Sequence, residues 1–179
     1  MDYVQALFSR RSRRNFTAQS LGTDKAQPLL TMAASLLGAK ISPGLDFGVS
    51  CKNVEGMEDG IYQFSRKTGT FALERRGDFQ ERLSRVCLDQ TWIRNAAMNF
   101  LFITDLAALE REAGPRGYRH VFMDAGRMGQ RIYLAAQGLG LGCCGVGALY
   151  DDEAQALLDL KPDTVLFYVV SAGPVQNIS

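Results

Sequence analysis

The stretch from Arg116 to Asp152 constrains this chain most, because a long helical pattern runs directly into a dense glycine run. From Tyr118 to Gln137 there is no proline, and Val121, Ala125, Met128, Ile132, Ala135 and Leu139 recur at alternating spacings of four and three, which is a helical seam. A neighbouring stripe, Phe122, Gly126, Gly129, Tyr133 and Ala136, is also apolar or small. Such a helix needs cover on more than one side, from its own domain or from a second subunit. Gly126 and Gly129 each cost about 1 kcal/mol of helix propensity. That cost points to close backbone approach, by another helix or by a ligand.

Beyond Gln137 the chain places Gly138, Gly140, Gly142, Gly145 and Gly147 close together, which ends the helix. Cys143, Cys144, Val146, Ala148 and Leu149 suit a buried strand, and Asp151 or Asp152 is placed to N-cap the helical pattern that resumes at Glu153. Glycines at the mouth of a strand leave backbone N–H groups open to a ligand. Tight packing of that strand under the helix accounts for them equally well.

With 179 residues, 46% of them hydrophobic, there is material for one substantial core, so residues 1–179 are expected to form a single domain. No apolar run approaches the roughly 20 residues of a membrane span, and MDYVQALFSRRSRR lacks a signal-peptide pattern, so a cytoplasmic protein is expected. A net charge of +1 gives no general support for binding nucleic acid or a membrane. Cys51, Cys87, Cys143 and Cys144 show no C-x-x-C spacing; reduced, buried thiols and no metal site are expected.

Along the chain, Asp2 caps a short helix through Ser9. Arg10, Arg11, Ser12, Arg13 and Arg14 follow, too concentrated in charge for an ordinary solvated helix face. A phosphorylated cofactor, an RNA backbone and a solvated basic loop are all open readings of them. Asp24 is expected to cap a helix to about Leu37, and Leu45 to Cys51 alternates as a half-buried strand. Ile61–Phe64 and Thr70–Leu73 read as a hairpin, Asp78–Cys87 as a helix, and Gln90–Asn95 as a further helical turn. Met98–Thr104 and Thr164–Ser171 read as central strands, with a helix over Leu106–Ala113. His120, the sole histidine, is expected to pair with Asp124 one turn on. Trp92 and Tyr133 read as core aromatics. Strands and helices mixed in this order predict an α+β sheet covered on both faces.

The motifs, taken in order, resemble those of the FMN-dependent nitroreductase superfamily. They are Arg-Arg-Ser-x-Arg-x-Phe at residues 10 to 16, then NVEGMEDGIYQF, CLDQTWIRNAA, GYRHVFMDAGRMGQRIYLAAQGLGLG and GVGALYDDE. The likeness is greatest to the branch that oxidises azoline rings in peptide natural products. The resemblance implies a three-layer α-β-α sandwich around a mainly antiparallel sheet, and a homodimer with FMN at the subunit interface. It implies that Arg10 and Ser12 hold the FMN phosphate and that Arg14 reaches the N1 and O2 edge of the ring, while Arg11 faces the ribityl chain or solvent. Gln90 would pair with the pyrimidine edge. Gly145, Val146, Gly147 and Ala148 form the segment whose backbone approaches N5 and O4, and Gly38 and Ala39 belong to a loop supplied by the partner subunit.

Three departures accompany the likeness. Ala172, Gly173 and Pro174 stand where members often carry Gly-Arg-Pro, no cation follows Lys161, and phosphate binding is expected to rest on the N-terminal arginines. SLLGAK replaces a Pro-Ser-rich flavin loop, and the Lys-Tyr pair associated with azoline oxidation is absent. The expected activity is hydride transfer from NADH or NADPH through FMN to an oxidised small-molecule acceptor, such as a nitroaromatic or a quinone, with no protein nucleophile. A non-catalytic flavin-binding dimer, for storage or sensing, is the alternative; an RNA-binding module using the arginines has less support, since Phe16 is the one aromatic among them.

Overall fold

Asp2 opens the first helix, α1 (Tyr3–Ser9), through a reciprocal capping box: its carboxylate accepts from the Gln5 N–H at 2.8 Å while the Gln5 side chain accepts from the Asp2 N–H. The computed structural model describes residues 2–35, 42 and 44–176. The second helix, α2 (Thr23–Ala34), differs at its start from expectation, with Gly22 at the N-cap and Asp24 inside the first turn. The physical reason lies upstream: the Leu21 N–H donates to the Asn53 carbonyl, which docks the chain before Asp24 can reach a capping position. Asp24 still faces the positive end of the helix dipole. The expected end near Leu37 lies outside the described residues.

Strand β1 (Leu45–Cys51) is followed by the hairpin β2 (Gly60–Ser65) and β3 (Thr70–Arg76), each hairpin strand longer than its sequence pattern suggested. Then come α3 (Gln80–Val86), a short 3-10 turn (Thr91–Asn95), β4 (Met98–Asp105), α4 (Leu106–Ala113), the long α5 (Gly117–Gly138), β5 (Gly142–Val146), α6 (Asp151–Leu158) and β6 (Thr164–Gly173). The strands form one six-stranded sheet in the order β3-β2-β1-β4-β6-β5, antiparallel at every pairing. On one face Leu29, Val121, Ala125, Met128 and Ile132 of α2 and α5 pack on Phe47, Phe100 and Phe102. On the other face Leu83, Val86, Ala154 and Leu157 of α3 and α6 pack on Leu101, Ile103 and Val169. The architecture is therefore the expected α-β-α sandwich.

Two local expectations fail. The glycine-rich strand ends at Val146 rather than continuing to Leu149, and Tyr150, not an aspartate, occupies the N-cap of α6 without a side-chain cap bond. The Tyr150 N–H is given instead to the Val86 carbonyl at 2.8 Å, which ties the segment between β5 and α6 to the end of α3.

Tyr168 of β6 explains two glycines. A Cβ on Gly145 would lie 2.3 Å from the Tyr168 hydroxyl oxygen, and one on Gly129 would lie 2.9 Å from its ring. The ring is thus wedged between α5 and β5, and the helix comes close to the edge of the sheet because neither position carries a side chain. A buried polar row also crosses the sheet: Asn99 donates to the Gln80 side chain at 2.6 Å, Ser171 donates to Asn99, and Ser50 and Ser171 flank Asn99 in register. Gln80 completes it by donating to the Ala96 carbonyl at 3.0 Å.

Gly145→Ala is expected to lower stability by about 1–3 kcal/mol through overpacking against Tyr168. Denaturant melts should show Tyr168→Leu restoring part of that loss in the Gly145→Ala background. Burial pushes the Cys51 and Cys87 thiols up to about 12, so neither should react with a thiol reagent at pH 8 until the protein is unfolded. Because the folded state keeps these protons while the unfolded state loses them, stability should fall as pH rises above the ordinary thiol range near 9.

Candidate functional site

β5 is an edge strand, so every second residue turns its N–H and C=O away from the sheet. The N-terminal arm meets the first of these: the Arg13 N–H donates to the Cys143 carbonyl at 2.9 Å. Tyr133 of α5 meets the next, its hydroxyl oxygen accepting from the Gly145 N–H at 2.7 Å. Continuing the alternation leads to Gly147. It is exposed, nothing lies within 4 Å of where its Cβ would be, and among the described residues its N–H has no hydrogen-bond partner. Ala148 beside it is exposed as well, whereas Val146 is buried in the core and paired with Val169 of β6.

The arginine arm lies against this edge. The Arg10 guanidinium sits 5.2 Å from the centre of the Tyr133 ring, and Ser12 Oγ is 3.0 Å from the Tyr133 hydroxyl. Arg14 sits 5.9 Å from the centre of the Trp92 ring, which also contacts Phe16. Arg11 turns back to the carbonyls of Phe8 and Arg10. Among the described residues no carboxylate approaches within 4.0 Å of Arg10, Arg11, Arg13 or Arg14. The arm's main chain is held by backbone bonds, and its four guanidiniums have no protein counter-charge among the described residues. Burial pushes the Tyr133 phenol up, while its hydrogen bonds with Ser12 and Gly145 act in the opposite direction; the hydroxyl stays protonated.

Gln90 stands two residues before Trp92, half-buried at the start of the 3-10 turn. Leu88 and Asp89 immediately before it both adopt left-handed backbone (φ 57° and 58°), a conformation that costs non-glycine residues on the order of 1–3 kcal/mol each. Nothing in the residue type of Leu88 announced this. Structure thus brings Arg10, Ser12, Tyr133 and Gly145 into direct contact, and Arg14 onto Trp92. Gly147 and Ala148 are carried to the same end of the sandwich by the tie from Tyr150 to Val86. Gly38 and Ala39 lie outside the described residues. Tyr133 and Trp92, read in the sequence as core aromatics, both line this region.

Two further expectations are revised. Gly145 is bare because Tyr168 occupies the space of its side chain, and its N–H is already engaged by Tyr133. Asp124 does not pair with His120: its carboxylate accepts from both the N–H and the hydroxyl of Ser42 at 2.8 Å and from Arg127 at 3.1 Å. The missing cation near the last strand has a steric reason. A Cβ on Gly173 would lie 2.8 Å from the Ala97 nitrogen, so a side chain there would require the backbone just before β4 to shift.

The fold and the edge together define an antiparallel α-β-α sandwich with an arginine arm, free of protein ion pairs among the described residues, laid against its edge strand. The chain belongs to the nitroreductase family, whose model matches residues 7–173. A Methanocaldococcus jannaschii protein with a provisional nitroreductase name is 28% identical over 173 residues, covering 92% of this chain and 87% of its own. A crystal structure from Anabaena variabilis, also provisionally named a nitroreductase, superposes with a TM-score of 0.89 at 27% identity. That match covers 98% of this chain and 38% of the other, so this chain spans well under half of that protein. A chain of the Escherichia coli microcin synthetase McbBCD complex, solved with truncated pro-MccB17, shares the fold with a TM-score of 0.76 at 19% identity, over 95% of this chain and 71% of its own.

If the arginine arm is an anion site, inorganic phosphate should raise the thermal midpoint of the wild-type protein by roughly a few degrees at saturating concentration. The Arg10→Ala/Arg14→Ala variant should remain folded, because neither guanidinium makes a protein ion pair, and should lose that shift. A shift of the same size in the double variant would place the anion elsewhere.

Proposed function

We propose that this chain is an FMN-dependent oxidoreductase that accepts electrons from NADH or NADPH and passes them to a small-molecule acceptor such as a nitroaromatic or a quinone. One observation carries the reading. Guanidiniums without protein counter-charge and a serine hydroxyl gather around Tyr133 beside Gly145 of the edge strand, and a bare, unpartnered backbone N–H follows two residues on at Gly147. The donor set suits a phosphorylated, ring-bearing group. Arg10 and Ser12 would hold the phosphate, with Arg11 beside them. Arg14 and Gln90 would meet the pyrimidine edge of the ring, where a fixed cation favours the charge that gathers on reduction. Gly145 and Val146 would set the direction of the strand, and the backbone of Gly147 and Ala148 would face the reactive edge. Bound FMN supplies reversible hydride-level redox chemistry, and the protein contributes orientation and electrostatics. Membership of the nitroreductase family supports this assignment.

The same reading makes the active form a homodimer, with Gly38 and Ala39 contributed across the interface. Support comes from α1 and α5, which expose Tyr3, Val4, Phe8, Tyr118, Phe122 and Met123. Beside them a groove of about 880 Å³ is lined by Ala6, Met32, Gly126 and Leu134 among others. That much apolar surface is unusual for a lone domain. No helix among the described residues is long and apolar enough to cross a membrane, and a cytoplasmic location is part of the proposal. Likeness to a subunit fold of a microcin synthetase keeps a peptide-borne acceptor within the same reading.

The purified protein should be yellow, with a flavin absorption band that bleaches on anaerobic addition of NADH or NADPH and returns on addition of a quinone or nitroaromatic. Light scattering should give the mass of two chains. Retained flavin that neither nicotinamide reduces would leave the non-catalytic flavin-binding alternative, and a colourless protein that takes up no FMN would remove the flavin assignment.

A further inference from the structure

Tyr133 sits where α5, the edge strand and the arginine arm meet, and the direction of its hydrogen bonds follows from donor chemistry. A peptide N–H can only donate, so the Tyr133 oxygen is the acceptor from Gly145 at 2.7 Å. The phenol hydrogen then needs an acceptor, and among the described residues the one within reach is Ser12 Oγ at 3.0 Å. Ser12 therefore receives the bond, and its own hydrogen points away from Tyr133. Ser12 is exposed, and the Arg10 guanidinium lies over the face of the same tyrosine ring. The chain runs from the Gly145 N–H through the Tyr133 and Ser12 hydroxyls, every donor pointing the same way, and terminates in an O–H beside a cation. Chains of aligned hydrogen bonds polarise one another.

We propose that Tyr133 is a positioning residue for the anionic end of the site, acting through Ser12: it orders the Ser12 hydroxyl as a donor to a phosphoryl oxygen while holding the edge strand by Gly145. The proposal rests on the flavin reading above and adds a residue that the motif resemblance did not assign. A tyrosine serving only to fill the core would hold either flavin form equally.

The test titrates the full chain, freed of endogenous flavin, with FMN and with riboflavin, which lacks the phosphate. Tyr133→Phe keeps the ring and removes the hydroxyl; Ser12→Ala removes the last donor. Each should weaken FMN binding about tenfold, the order expected for one charge-assisted hydrogen bond. The double variant should be no weaker than either single variant, because both break one chain. Riboflavin affinity should stay within about twofold of wild type throughout. Equal losses for FMN and riboflavin in Tyr133→Phe, losses that multiply in the double variant, or unchanged FMN binding in Ser12→Ala would each overturn the assignment. The last outcome is decisive even if Tyr133→Phe fails to fold. A wild-type chain that binds neither flavin overturns the flavin reading itself, a result distinct from all of these.

Discussion

An edge strand is a row of unpaired amides, and in this protein the way that row is covered organises everything around it. β5 closes one side of the sheet, and its outward groups at Cys143 and Gly145 are taken up by the arm and by Tyr133. Those two bonds fix where the arginines lie and how close α5 approaches. Coverage then stops, because the chain leaves the sheet after Val146 and nothing crowds Gly147. The site is the place where edge protection ends. Its polar groups are available to a ligand for the same reason that they are not available to another strand.

The glycines of this region divide into two kinds, and the division separates packing from function. Gly129 and Gly145 make room for Tyr168, Gly142 makes room for Val175, and Gly173 lies against the Ala97 backbone. These four allow a helix, a ring and a chain terminus to pack closely around one edge. Gly147 has no such neighbour. Gly126, Gly138 and Gly140 also have none, but the first two line the groove beside α1 and the third serves a left-handed turn (φ 70°). A glycine whose missing side chain no protein atom replaces is the better candidate for contact with something outside the chain.

Much of the fold was legible because it rests on period and punctuation. The bounds of β1 and α4 follow directly from alternation and from the break at Gly114 and Pro115, and the seam of α5 buries Val121, Ala125, Met128 and Ile132 as its spacing requires. The caps of α2 and α6 were not legible, since they depend on carbonyls of Asn53 and Val86 that only the tertiary structure brings near. The arginine arm was visible as charge, and Tyr133 read as core and is buried there, but helical spacing does not show that its hydroxyl meets Ser12 and Gly145. Leu88 carried no signal, since its residue type does not favour the left-handed backbone it adopts, whereas Asp89 beside it is of a type that tolerates that conformation.

How the arm stays in place without neutralising its charge is the remaining physical question, and main-chain bonds answer it. The N–H of Arg13 donates to Cys143, that of Thr17 to Pro174, and that of Gln176 to the Asn15 carbonyl, while the Asn15 side chain donates to the Gln176 carbonyl. Phe16 adds an apolar anchor against Trp92. Had the same arm been secured by aspartates, its arginines would be spent on the protein and would offer little field to a ligand. Holding the backbone and leaving the side chains without a protein counter-charge is the arrangement that the proposed phosphorylated ligand would use.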